Sequence, residues 1–256
     1  MGLSALVAAA TLAVTPQQFV LSHQQPDGGF AESGGREGAA LTAWAVLGLR
    51  ATGTPVSDAY LRAHEAELTT PTEIALGVLA EAHPSAALLT RLDRAPTPTL
   101  NATAWKLLAL AQVGRSLPRD RVRYLLRHQA RSGGWSWVTG AAPDSNDTAA
   151  VVQALRAARV KGRPIRRALA YLRRLQNKDG GFELTQGRGS DAQSTAWAIQ
   201  AFLAAGARPG RPAYAYLARL LRPDGSYRYS AKYATTPVWV TSQVLPALAG
   251  KPFPLR

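Results

Sequence analysis

Six segments of the chain are apolar around nearly the whole helical circumference, and six others carry a single apolar stripe. The first set reads LTAWAVLGL, TEIALGVLA, NATAWKLLAL, NDTAAVVQAL, QSTAWAIQAF and TPVWVTSQVL. The second reads TPQQFVLSHQ, SDAYLRAHEAEL, SAALLTRL, RDRVRYLLRHQ, IRRALAYLRRLQ and PAYAYLARLL. In the fifth of these, Ile165, Leu169, Leu172 and Leu175 share one face and arginines take the other, as in a helix with one buried side. A helix that is apolar all round is covered on both sides. The two kinds alternate along the chain, which predicts an inner ring of six parallel helices wrapped by an outer ring of six. The expected fold is therefore all-α, an α6/α6 toroid (α/α barrel). Pro16, Pro118, Pro164 and Pro212 stand at or near the starts of the one-sided segments, where a missing N–H costs least. Period-2 alternation is almost absent and no Pro/Gly/Ser linker divides the chain, so residues 15–256 are expected to form one domain.

The doubly covered segments align on Thr42, Thr72, Thr103, Thr148, Thr195 and Val238, spaced by 30, 31, 45, 47 and 43 residues. Loop insertions explain the longer units. Several one-sided segments end in a recurring loop: SHQQPDGGFAE, RHQARSGGWSW, RLQNKDGGFEL and RLLRPDGSYRY. Glycines in such a loop supply the positive φ that a sharp helix stop requires. The glutamine amide can satisfy orphan backbone groups at the helix end. The aromatic residue is placed to plug the seam between neighbouring repeats.

These loops carry a family resemblance. Over roughly residues 15 to 250 the chain resembles the prenyltransferase/squalene-cyclase (terpenoid cyclase) repeat proteins, whose signature is Gln, three residues, Gly, one residue, then Trp or Phe. Gln25 with Gly29 and Phe30 approximates it, Gln129–Gly133–Trp135 and Gln176–Gly180–Phe182 match at full spacing, and Leu221–Gly225–Tyr227 is a degraded copy. The resemblance implies a toroid stapled by these loops. It says little about activity, because one fold hosts many functions.

Candidate chemistry lies in APDSNDTAAVVQAL. This segment is similar to the Asp-x-Asp-Asp-Thr-Ala motif of class II terpene cyclases, in which the middle aspartate protonates an alkene or epoxide. Position by position, Asp144 matches the first aspartate, Asn146 the middle one and Asp147 the third. Such an acid must be kept protonated by burial and clustered carboxylates. An asparagine cannot serve, so Asp144 or Asp147 would have to substitute. In competition stands a structural reading: Asp, Ser, Asn and Thr cap helix N-termini, and Asp191 in GSDAQSTAWAIQAF repeats the position of Asp144. The two readings are compatible, because these N-termini would converge on one rim, where Asp191 and Gln193 become ligand-binding candidates.

Trp44, Trp105, Trp197 and Trp239 recur near one repeat position. They either line a lumen, where their π faces could stabilise a cation, or pack inner helices against outer ones. Gln153, Gln200 and Gln243 follow the aligned positions by five residues and need partners inside apolar helices. Glu73 and Lys106 are lone charges on inner helices and candidate polar groups of a lumen.

Composition narrows the choice. The chain has 256 residues and no cysteine, which removes disulfides, thioesters and thiolate zinc sites. His23, His64, His83 and His128 fall on outer segments or loops, and no Asp-Asp-x-x-Asp motif is present, so neither a metal nor a cofactor is expected. The net charge is +14, but only 5 of the 30 basic residues are lysines and the arginines are scattered. Nucleic acid is not an expected partner. A solvated arginine-rich exterior is expected, compatible with peripheral association with an anionic membrane. The first thirteen residues, MGLSALVAAATLA, are too short to span a bilayer. Residues 1–14 read as a signal-peptide remnant ending near Ala13, a first helix or a trimmed start. An exported or membrane-associated location is slightly favoured.

Two functions follow. One is a divergent class II terpene-cyclase-like protein that holds an isoprenoid or other hydrophobic ligand in the toroid lumen. The other is a non-catalytic toroid that binds a hydrophobic or vitamin-like ligand, or a protein partner. The resemblance adds a departure: squalene- and diterpene-type cyclases place the cavity between two α-barrel domains. A chain of this length would use its own lumen or a partner chain.

Overall fold

The structure is a computed structural model that describes residues 13–255. Six inner helices form the ring: α2 (Ala39–Ala51), α4 (Pro71–Ala80), α6 (Leu100–Gln112), α8 (Ser145–Ala157), α10 (Ala192–Ala204) and α12 (Pro237–Leu248). Six shorter or more polar helices alternate with them: α1 (Pro16–Leu21), α3 (Ala59–Ala63), α5 (Ala86–Arg94), α7 (Arg119–Arg127), α9 (Arg163–Arg174) and α11 (Arg211–Leu220). Each inner helix packs on the next, and α12 packs on α2. Each outer helix from α3 to α11 lies on the inner helix before it, while α1 lies on α12. The inner ring therefore closes between residues distant in sequence, and α1 continues the outer layer over α12. The expected α6/α6 toroid is the observed fold.

Closure depends on specific contacts. A Cβ on Gly48 of α2 would stand 2.5 Å from the Ser242 carbonyl oxygen, so only glycine lets α2 and α12 approach this closely. The N-cap of α12, Thr236, adopts φ 44° and makes no capping bond. Instead Glu32, from the loop between α1 and α2, accepts the N–H groups of Val238 and Trp239 at 3.0 and 2.9 Å. A carboxylate is favourable at that end of the helix dipole.

The recurring loops are the seams between repeats. In four of them the aromatic residue's backbone N–H donates to an inner-helix threonine at 2.9 Å: Phe30 to Thr42, Trp135 to Thr148, Phe182 to Thr195 and Tyr227 to Thr241. All four aromatic side chains are buried. These bonds correct two alignments. The equivalent position in α12 is Thr241 rather than Val238, so Gln243 aligns with Trp197 and not with Gln200. In the first loop, Gln24 rather than Gln25 occupies the glutamine position, since its amide donates to the Gly28 carbonyl as Gln129 and Gln176 do to Gly133 and Gly180.

Most of the described arginines are exposed, and several of them also bond the backbone. Arg156 donates to the carbonyls of Ala204 and Val160, and Arg167 to those of Ala130 and Arg131. Arg91, Arg174 and Arg219 make similar bonds to loop carbonyls. These five arginines thus satisfy carbonyls at helix ends and seams. Strands Phe182–Glu183 (β1) and Ser190–Asp191 (β2) form a small antiparallel pair that the sequence pattern did not suggest. No described helix is long and apolar enough to cross a membrane. The apolar segment 1–14 falls almost wholly outside the described residues.

Candidate functional site

All six inner helices contribute to a cavity of about 410 Å³ at their N-terminal ends, within the usual range for small-molecule sites. Trp44 comes from α2, Thr72 from α4, and Asn101 and Trp105 from α6. Asn146, Asp147 and Ala150 come from α8, Gln193 and Trp197 from α10, and Gln243 from α12. Asp144, Trp137 and Leu184 complete the wall from the loops. Two larger clefts, each about 700 Å³, have no acidic residue in their linings.

Local sequence places these groups. Thr70, Thr99, Asp144 and Asp191 are the side-chain N-caps of α4, α6, α8 and α10. Two residues beyond each cap stand Thr72, Asn101, Asn146 and Gln193, which together form a polar ring. Thr72 Oγ1 donates to Asn101 Oδ1 at 3.0 Å, and Asn101 Nδ2 donates to Asp147 Oδ1 at 2.7 Å. This chain of bonds ties three consecutive inner helices together. Tyr171 of α9 donates to the Pro143 carbonyl at 2.6 Å and so fixes the backbone immediately before Asp144. Thr148 grips both the N–H and the carbonyl of Trp135, anchoring the other end of that loop.

The carboxylates differ in role. Asp144 accepts the Asp147 N–H at 2.8 Å as the N-cap. Asp147 is 6% exposed, and burial pushes its carboxyl up to about 8; the charge of Asp144 and a hydrogen bond to it add to the effect, while the Asn101 amide opposes it. Burial and the neighbouring Asp144 charge thus favour the protonated form of Asp147. Asn146, at the position where the resembled motif has its acid, faces the cavity with an amide that accepts from Ser145 Oγ.

Aromatic rings form the floor. Trp44, Trp105 and Trp197 meet edge to face, with centroids 5.6–6.0 Å apart. Below them Phe253, near the chain's C-terminus, lies 6.0–6.4 Å from each indole. Its N–H donates to Gln153 Oε1 at 2.7 Å, so this inner-helix glutamine holds the segment that closes the lumen.

Not every candidate reaches the cavity. Trp239 packs against the core in the first turn of α12, one residue into the stretch capped by Glu32. Glu73 closes a capping box on Thr70, where local backbone N–H groups take up its carboxylate. Lys106 reaches outward to the carbonyls of Asp93 and Ala95. Asp191 caps α10 and faces a different cleft, beside Tyr216 and Tyr229. The capping reading thus describes Asp191, and capping and cavity readings hold together for Asp144. Thr72, Asn101 and Trp137 were missed; the available signal was that Thr72 and Asn101 share the cap-plus-two position with Asn146. Among the described residues, no group of three His, Asp or Glu side chains could hold a metal ion.

Comparisons with known proteins agree with this architecture. A glycosidase in complex with glucose superposes with a TM-score of 0.62 at 12% identity, covering 92% of this chain and 94% of that one. The ent-copalyl diphosphate synthase from Streptomyces platensis gives 0.56 at 21% identity; 83% of this chain matches 50% of that one. The type II terpene cyclase MstE from Scytonema gives 0.52 at 15% identity, covering 91% and 95%. At these identities the likeness is one of fold. No curated protein matches the chain in sequence. Residues 4–70 and 79–232 match the prenyltransferase alpha-alpha toroid domain, and the chain belongs to that family.

Proposed function

We propose that the chain binds an isoprenoid or similar olefinic ligand in its lumen and starts cyclisation or isomerisation by proton transfer from Asp147. The observation that carries this reading is a buried carboxyl beside a second one, Asp144, on the wall of a cavity floored by three tryptophans, where burial favours its protonated form. In the first step the alkene π electrons take the Asp147 proton. A C–H bond forms, the adjacent carbon becomes a cation and Asp147 becomes a carboxylate. The Asn101 amide stabilises that carboxylate, and the indole faces offset part of the cost of the cation. Loss of a proton from the cation, or capture of water, ends the reaction, and Asp147 is reprotonated. Asp147 thereby takes the role that Asn146 cannot fill.

The polar ring of Thr72, Asn101, Asn146 and Gln193 favours a second reading, ligand capture without chemistry. Incubation with squalene, oxidosqualene and geranylgeranyl diphosphate, followed by mass spectrometry, separates the two. The first reading expects a cyclised product that disappears in Asp147→Asn and persists in Asn146→Ala. Absence of product from all three substrates leaves capture as the function.

A further inference from the structure

One residue of the cavity wall carries a hydrogen-bond donor that has no acceptor among the described residues. Gln243 is 1% exposed and lines the lumen beside Trp197. An indole N–H can only donate, so the Gln243 atom facing Trp197 Nε1 at 2.9 Å is the amide oxygen. Gln193 Nε2 donates to the same oxygen at 3.1 Å. The amide orientation is thus fixed from two sides, which leaves Nε2 as the free end. Among the described residues, that nitrogen has no hydrogen-bond acceptor. A buried amide N–H without an acceptor costs about 1–3 kcal/mol; the oxygen end serves the packing of α10 against α12, but the nitrogen end takes no part in it. Its structural equivalents in α2, α6 and α10 are Trp44, Trp105 and Trp197, which complete the same wall with apolar surface. The unspent donor is a feature of the site.

We infer that Gln243, held by Trp197 and Gln193, is a subsite for a ligand oxygen that accepts a hydrogen bond: an ether, hydroxyl, carbonyl or carboxylate. This rests on the lumen being the ligand site, as proposed above, and narrows the ligand class. The native ligand is an oxygen-bearing chain or ring rather than a pure hydrocarbon. Its oxygen anchors on the α10–α12 side of the lumen, with the apolar remainder against the indoles and within the wall that carries Asp147.

Two probes of equal chain length test this. Farnesyl methyl ether can accept a hydrogen bond but not donate one, and farnesene can do neither. Binding is followed by isothermal titration calorimetry in the wild type and in Asp147→Asn, where proton transfer is disabled. One net hydrogen bond predicts that the ether binds roughly 3- to 10-fold tighter than the hydrocarbon in both proteins. In Gln243→Glu, read above the pH at which its buried carboxyl ionises so that no O–H donor stands in for the amide N–H, an oxygen is kept for Trp197 and Gln193 and the preference falls to about one. Because the ether-to-hydrocarbon comparison needs no variant at position 243, poor folding of Gln243→Glu does not blunt the test. Equal binding of the two probes to the wild type overturns the subsite and leaves the lumen as ligand site. An ether preference that survives in folded Gln243→Glu also overturns it. Failure of both probes to bind overturns the subsite together with the lumen reading on which it rests.

Discussion

Phe253→Ala removes the ring that closes the lumen beneath the three indoles. Phe253 is 2% exposed, and its centroid lies 6.3, 6.4 and 6.0 Å from those of Trp44, Trp105 and Trp197. Buried Phe→Ala changes cost about 3–5 kcal/mol, made up of lost transfer energy and a cavity term. The low end applies here, because the backbone bond from residue 253 to Gln153 survives the substitution and the surrounding rings can close part of the void. For a chain of this size 1 kcal/mol corresponds to about 2 °C in Tm, so the expected loss is about 6 °C by scanning calorimetry. Indole emission should shift to the red as the floor becomes hydrated. Lys251→Ala, at an exposed position of the same segment, is the control and should change neither quantity. A Tm loss below about 2 °C, with unshifted emission, would refute the placement of Phe253 under the tryptophans.

Gly48→Ala drives a methyl group against the Ser242 carbonyl and strains ring closure. It should cost about 1–3 kcal/mol, measured by urea unfolding; a neutral result would contradict the close approach of α2 and α12. Glu81 is buried, and burial with nearby Glu65 and Asp58 raises it to about 8, against the smaller opposing effects of Arg62 and the Ser85 backbone. Its folded-state value lies above its unfolded one, so the stability it contributes is full below about pH 4.5 and is lost as pH rises towards 8. Glu81→Gln should therefore raise Tm at pH 8.5 relative to the wild type and leave it nearly unchanged at pH 4. An equal change at both values would show that Glu81 is not protonated when folded.

Helix type and order were legible because burial on one side or two leaves its mark on periodicity, and the toroid follows from alternating the two. Register was less legible. The sequence alignment places Val238 with the threonines, although TPVWVTSQV also contains Thr236 and Thr241. Only the bond from the Tyr227 N–H to Thr241 identifies the second as the repeat position. At the site, Asp144, Asn146, Asp147 and Gln193 could be found from the residues that cap and open α8 and α10. Asp191 follows the same local pattern and caps its helix as Asp144 does, yet it lines another cleft, beside Tyr216 and Tyr229, which local sequence does not reveal. Phe253 gave no signal, because a lone aromatic in KPFPLR carries no periodicity. Its place in the lumen depends on contacts with residues more than 50 positions away, from Trp44 to Trp197.

The proton on Asp147 is the claim on which the chemistry rests, and infrared difference spectroscopy across a pH titration reads it directly. Subtracting the spectra of Asp147→Asn from those of the wild type isolates this carboxyl from Glu81 and from the surface acids. The expected result is a protonated-carboxyl band that persists through neutral pH and disappears with a midpoint near 8, as the value raised to about 8 requires. A midpoint near 4, the ordinary range for an aspartate, would mean that Asp147 is ionised at neutral pH and cannot be the acid.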